Sequence, residues 1–193
     1  RFRRAVRRRP DHRVGHAVEC LLDGDGCGGH RDRRVAAVPV ALAAAVGALA
    51  RPGDLVLLAG DLGAGKTAFT QGFGRALDVT EPITSPTFTL AQQYEGRLVV
   101  HHLDVYRLEQ MGEVADLGLS ELLDDGGVVL IEWGDAILPV LPNDYLEVRL
   151  TFGSADDDRL LALRSVGPGW AHRQVSLLHA VAPWADTPGA APC

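Results

Sequence analysis

The stretch "GDLGAGKT", Gly60 to Thr67, decides the fold of this chain, and it holds the only lysine. Eighteen arginines stand elsewhere and Lys66 stands alone. Gly60-x4-Gly65-Lys66-Thr67 fits the pattern G-x-x-x-x-G-K-[ST]. Glycines there let the backbone take positive φ and bring its N–H groups close to phosphate oxygens. The candidate cradle is therefore Gly60, Asp61, Leu62, Gly63, Ala64 and Gly65. In such a loop the lysine, here Lys66, reaches the β and γ phosphates, and the hydroxyl of the next residue, here Thr67, binds Mg²⁺. Arginine carries a planar fork, whereas lysine is a compact point charge that fits between a loop and a phosphate. The lone lysine thus occupies the place where arginine substitutes worst. With 22 glycines, one lysine and 13 serines and threonines, a chance match arises about once in a thousand such chains.

The flanks supply the required context. "LVLLA" (Leu55–Ala59) is an all-apolar run of buried-strand type, and Lys66 to Leu77 reads as a helix whose N-terminal dipole faces the same anion. Two more apolar runs end in acid: "LVVHHLD" at Asp104 and "VVLIE" at Glu132. A carboxylate at a strand tip beside a phosphate loop can hold Mg²⁺, directly or through water, or polarise an attacking water. Taken singly, either acid has a plainer reading as a surface carboxylate at a strand end; the two together argue against both being inert. Trp133 reads as core packing or as a wall of the site. "TSPTF" (Thr84–Phe88) lies where a switch segment would, so Thr87 could sense the γ-phosphate or Mg²⁺; the plainer reading is a Ser-Pro turn that opens a strand. Guanine is usually read by an Asn-Lys-x-Asp element. With no lysine outside the loop that element cannot exist, which favours ATP.

Further along, Thr84 to Asp104 holds two strand-like runs around a turn at Glu95-Gly96, and residues 113–123 read as a helix closed by "DDGG". "YLEVRLTF" (Tyr145–Phe152) and "RLLALRSV" (Arg159–Val166) can pair as a hairpin across "GSADDD". The expectation is an α/β, P-loop NTPase-like domain over residues 35–166. It would have a mainly parallel sheet, flanking helices and an antiparallel C-terminal hairpin. Residues 167–193, rich in Pro, Ala and Gly, are expected to be a loose tail with at most one helix.

Charge divides the chain. Residues 1–34 carry ten arginines against five acids, whereas residues 35–193 carry nine basic residues against twenty acids. An acidic body binds nucleic acid poorly on its own, because Lys and Arg neutralising phosphates supply most non-specific affinity. The basic arm reads as a solvated tail, disordered or non-native, over a nucleic-acid contact. The three cysteines, Cys20, Cys27 and Cys193, form no CxxC pair, and with His30 they make only half a zinc site. An odd cysteine count suits a reducing cytosol. "RDRRVAAVPVALAAAVGALA" (Arg31–Ala50) looks like the core of a signal peptide. It is short for a membrane span, is broken by Pro39 and leads into the nucleotide strand, so it reads as an Ala-rich helix on a sheet. The expected location is cytoplasmic, with no membrane partner.

"GDLGAGKT", "SPTFTL", "HLDVYRL" and "VLIEW" occur in the order and spacing of the TsaE (YjeE-type) family, which this chain resembles from about Pro52 to Leu163. The P-loop alone is shared by many families; the combination is specific. The resemblance implies a small ATPase of bacterial tRNA threonylcarbamoyladenosine (t6A) biosynthesis. It would use ATP and Mg²⁺ and work with TsaB and TsaD, meeting tRNA indirectly through the complex. By the same resemblance Lys66 and Thr67 bind ATP and Mg²⁺, Glu132 is a Mg²⁺ ligand with Trp133 beside it, and Asp104 matters for hydrolysis. A loose match of Asp157-Asp158-Arg159 to a family "D-x-R" segment puts Arg159 near the nucleotide. The departures are the Arg-rich arm, Ala68 where a second threonine is common, and the tail. The alternatives are a small P-loop kinase, for which the chain lacks a long basic lid, and a non-enzymatic nucleotide-gated binding module.

Overall fold

Strands β2 (Leu55–Ala59), β4 (Val100–Asp104) and β5 (Val128–Glu132) are buried at every residue; β2 and β5 are the apolar runs expected where helices cover both faces of a parallel sheet, and β4 buries His101, His102 and Asp104 as well. The computed structural model describes residues 17–21, 39–106, 118–153 and 158–185. Its other elements are β1 (Ala17–Leu21), α1 (Pro39–Gly47), α2 (Lys66–Ala76), β3 (Ala91–Tyr94), α3 (Leu119–Asp124), β6 (Tyr145–Phe152), β7 (Arg159–Val166), α4 (Pro168–Ala171) and α5 (Gln174–Val181). A 3₁₀ segment covers Gly134–Val140. The strands form one seven-stranded sheet in the order β1-β7-β6-β2-β5-β4-β3. β6, β2, β5 and β4 run parallel to their neighbours in that group. β3 closes one edge antiparallel to β4, and β7 folds back antiparallel on β6 as the expected hairpin.

Side chains alternate between faces along a strand, and this splits the core in two. Val56, Leu58, Val128 and Leu130 point to one face and join Leu42 and Val46 of α1 and Phe69 and Phe73 of α2. Leu55, Leu57, Val129 and Ile131 point to the other and join Ile137 and Leu141. On α2 the buried residues Phe69, Phe73 and Leu77 recur every four positions, one stripe of a helix facing the sheet. Burying each contributes roughly 1.5–3 kcal/mol against exposure. α1 lies close on α2 because position 72 is glycine; a Cβ there would sit 2.1 Å from the Val40 carbonyl oxygen. The helix read in Arg31–Ala50 is thus observed over Pro39–Gly47, packed on α2. No described helix is long and apolar enough to cross a membrane.

Two expectations are corrected. Residues 1–34 were read as an unstructured arm, yet Ala17–Leu21 form β1, paired in parallel with β7 at the sheet edge. The rest of that arm, with Cys27 and His30, lies outside the described residues. The tail beyond Val166 is not loose through residue 185. Trp170, Leu177 and Val181 enter the core, and Arg173, 5% exposed, forms a bidentate pair with Asp54 at 2.6 and 2.7 Å. Arg173 also donates to the carbonyls of Leu49 (2.8 Å) and Gly169 (3.0 Å) and lies over the Trp170 ring at 4.0 Å. Of the helix read at 113–123, α3 supplies the end, and residues 113–117 lie outside the described residues.

Candidate functional site

The site lies where the parallel strands end. Gly60 follows β2 with φ 138°, and a Cβ at that position would lie 2.1 Å from the Leu150 carbonyl oxygen of β6, so no larger residue fits the turn. Gly63 and Gly65 also have positive φ, and Gly65 leads directly into α2. The first amides of α2 lack intrahelical acceptors and open on this loop, an arrangement suited to an anion.

Lys66 lies under the loop, 5% exposed, and its ammonium donates to the carbonyls of Gly60 (2.7 Å) and Asp61 (2.9 Å). An ammonium has three donors, so one is left for an acceptor in the cradle. Burial lowers the pKa of Lys66, while Glu132, Asp104, Asp135 and Asp61 oppose that shift. Lys66 Nζ also lies 3.7 Å from the centre of the Trp133 ring.

Period-two alternation places the two strand-end acids together. Asp104 and Glu132 are paired in register on β4 and β5, about 4.8 Å apart across the ladder. They share a face with His102, Val100, Val128 and Leu130, the face on which α2 packs. Both acids are buried. Thr67 Oγ1 donates to Glu132 Oε1 at 2.8 Å. A hydroxyl that donates its proton keeps its lone pairs for a cation. Thr87 Oγ1 donates to Asp104 Oδ2 at 2.8 Å and lies 2.5 Å from Ser85 Oγ, which joins "TSPTF" to the strand-end acid. The Tyr106 amide donates to Asp104 Oδ1 at 3.0 Å.

The Thr67 hydroxyl and the carboxylates of Glu132 and Asp104 are all hard oxygen donors, in the right chemical class for Mg²⁺. No described cluster of three or more His, Cys, Asp or Glu could cage an ion alone.

Trp133 adopts left-handed backbone geometry, φ 64°, uncommon for a bulky residue, and its N–H donates to the Leu58 carbonyl at 2.8 Å. This turn carries the indole back over Lys66 and against the Tyr106 ring at 4.7 Å. Trp133 is half-buried: it packs against the core cluster of Leu57 and Ile131 and also stands beside the Lys66 ammonium, so both readings weighed for it describe contacts it makes. Strained backbone of this kind costs about 1–3 kcal/mol and is typical of functional sites.

Arg159 lies on the flank. It is the register partner of Phe152 across the hairpin, stacks on that ring at 4.6 Å and donates to the Asp158 carbonyl at 2.8 Å. Phe152 in turn reaches to 3.9 Å from where a Cβ on Gly63 would lie. The hairpin tip therefore adjoins the cradle; Asp157 lies outside the described residues. The structure thus gathers Lys66, Thr67, Glu132, Trp133, Asp104 and Thr87 by direct contacts and brings Arg159 beside them through Phe152.

One residue at the site was missed. His102 is fully buried and its Nε2 lies 2.9 Å from Glu132 Oε1. The alternation in "VHHLD" put His102 on the face of Asp104, but only the β4–β5 register puts it beside Glu132.

Comparisons with known proteins point to one family. The family model "Threonylcarbamoyl adenosine biosynthesis protein TsaE" matches residues 36–160. The tRNA threonylcarbamoyladenosine biosynthesis protein TsaE of Bacillus subtilis is 44% identical over 128 residues, covering 66% of this chain and 79% of that protein. Its namesake in Mycobacterium tuberculosis is 36% identical over 173 residues, covering 82% of this chain and 94% of that one. The crystal structure of Bacillus subtilis YdiB superposes with a TM-score of 0.63 at 36% identity, covering 73% of this chain and 87% of that one. With its P-loop architecture and this likeness over most of its length, the chain belongs to the TsaE family.

Proposed function

We propose that this protein binds and hydrolyses ATP with Mg²⁺ as the nucleotide-driven subunit of t6A formation at adenosine 37 of tRNA, together with TsaB- and TsaD-type partners in the cytoplasm. The observation that carries the reading is the junction of Thr67 and Glu132: a P-loop hydroxyl donates to a strand-end carboxylate beside a buried lysine. Lys66 binds phosphate through its remaining donor, and the loop amides hold the other phosphate oxygens. Mg²⁺ held here would supply positive charge against that developing on the phosphate oxygens. Thr67 and Glu132 supply its protein ligands. Asp104 orients a water or reports the γ-phosphate to "TSPTF", a reading supported by its hydrogen bond from Thr87. Arg159 flanks the nucleotide from the hairpin tip. The acidic body argues for tRNA contact through the partners.

The test is calorimetric titration of ATP in Mg²⁺ buffer into the parent and Lys66→Ala, followed by t6A formation with TsaB, TsaD and tRNA. The parent is expected to bind ATP and support modification. Lys66→Ala is expected to fold normally and do neither. Unchanged ATP affinity in the variant would refute the reading.

A further inference from the structure

His102 is fully buried beside the site, and among the described residues no hydrogen bond joins it to the loop. Its Nε2 lies 2.9 Å from Glu132 Oε1 and 3.5 Å from Thr70 Oγ1, and its Nδ1 has no hydrogen-bond partner. A neutral imidazole carries one ring proton. The Nε2–H tautomer lets the ring donate to the carboxylate and leaves an acceptor, not a donor, unmatched at Nδ1; the tautomer is assigned from this network. Glu132 Oε1 therefore accepts two hydrogen bonds, from Thr67 on α2 and from His102 on β4. Glu132 Oε2 accepts none from the described residues.

We infer that His102 is a positioning residue: its Nε2–H pins Oε1 of Glu132 and leaves Oε2 available to a divalent cation. Its role is then in Mg²⁺ dependence and not in nucleotide affinity, because its short contact is with Glu132 at 2.9 Å, whereas Thr70, which bonds to the Lys66 carbonyl, lies 3.5 Å away. A glutamate at the end of a strand keeps rotatable side-chain bonds, and one donor from Thr67 does not fix the plane of its carboxylate. A second donor from an adjacent strand does. Outer partners of metal ligands typically change metal affinity or activity by about 10–100-fold when removed.

The inference rests on the Mg²⁺–ATP reading, and the experiment separates the two. ATP affinity of the full chain is measured by calorimetry in EDTA and across a Mg²⁺ titration, for the parent, His102→Gln, His102→Asn and His102→Leu. Thermal unfolding is recorded in parallel. The glutamine amide can reach Oε1, whereas the asparagine amide is too short. His102→Leu and His102→Asn are expected to raise the half-saturating Mg²⁺ by roughly tenfold or more, with affinity in EDTA unchanged. His102→Gln is expected to keep the parental Mg²⁺ dependence. Should His102→Leu not fold, the contrast between Gln and Asn carries the test. Equal Mg²⁺ dependence in Gln and Asn, or an equal loss of affinity in EDTA, overturns the inference. ATP binding by the parent that ignores Mg²⁺ refutes the underlying reading instead.

Discussion

Replacing Arg173 with alanine is expected to destabilise the protein by about 4 kcal/mol without altering the nucleotide site. Arg173 makes two bonds to the Asp54 carboxylate, one to each of the Leu49 and Gly169 carbonyls, and lies on the Trp170 ring. Removing one partner of such a buried pair leaves a charge without compensation and costs about 3–5 kcal/mol. Asp54 would keep one donor, the Arg51 amide at 2.8 Å. For a chain of this size that loss lowers the midpoint of thermal unfolding by about 8–16 °C, at about 2–4 °C per kcal/mol. The pair adjoins the start of β2 and the cradle follows its end. Five residues at about 3.3 Å each separate the two by roughly 16 Å, so ATP affinity is expected to hold. Urea unfolding followed by far-ultraviolet circular dichroism measures the loss. The double replacement Asp54→Leu with Arg173→Met, which removes both charges, is expected to recover much of it. A loss below about 1 kcal/mol in Arg173→Ala would refute the docking of the C-terminal helices as a source of stability.

Glu132→Gln and Asp104→Asn keep size and remove charge. Each is expected to bind ATP within about tenfold of the parent while hydrolysis falls roughly a hundredfold or more; parental turnover in both would remove the acids from the mechanism. Thr87→Ala loses its bond to Asp104 and is expected to blunt the difference in TsaB–TsaD affinity between ATP-analogue and ADP states more than it weakens ATP binding, as read by pull-down. His101 is buried against Gly127, and burial lowers its pKa despite the nearby charges of Asp125 and Glu95. The folded value thus lies below the unfolded value of 6.5. Stability linked to this group is full above that pH and falls as pH drops through it, by up to about 1.4 kcal/mol per pH unit until the folded pKa is reached. Urea midpoints at several pH values are expected to show a shallower acid decline in His101→Leu than in the parent.

The loop and the buried strands were legible in the sequence because both are local. Four residues of fixed chemistry, Gly60, Gly65, Lys66 and Thr67, define the loop, and "LVLLA" and "VVLIE" can be little else than covered strands. The acids at Asp104 and Glu132 were legible for a related reason, since a run that ends in charge must end at an edge of the core. What the sequence did not disclose depends on contacts across distance. His102 meets Glu132 only because β4 and β5 lie side by side in one particular register. Arg173 meets Asp54 from 119 positions away, and a composition rich in Pro, Ala and Gly around it concealed the buried Trp170. β1 was hidden because its five residues stand in a segment dominated by arginine.

The ring beneath Lys66 gives the molecule a built-in optical probe. Of the three tryptophans, Trp170 lies under Arg173 and Trp184 packs on the core, while Trp133 alone has the P-loop ammonium over its face at 3.7 Å. A phosphate that draws this cation toward itself changes the electric field across one indole, and the emission of that indole shifts with it. Nucleotide binding, as proposed for this site, is therefore expected to change the emission of Trp133 in the unlabelled protein more than that of the other two.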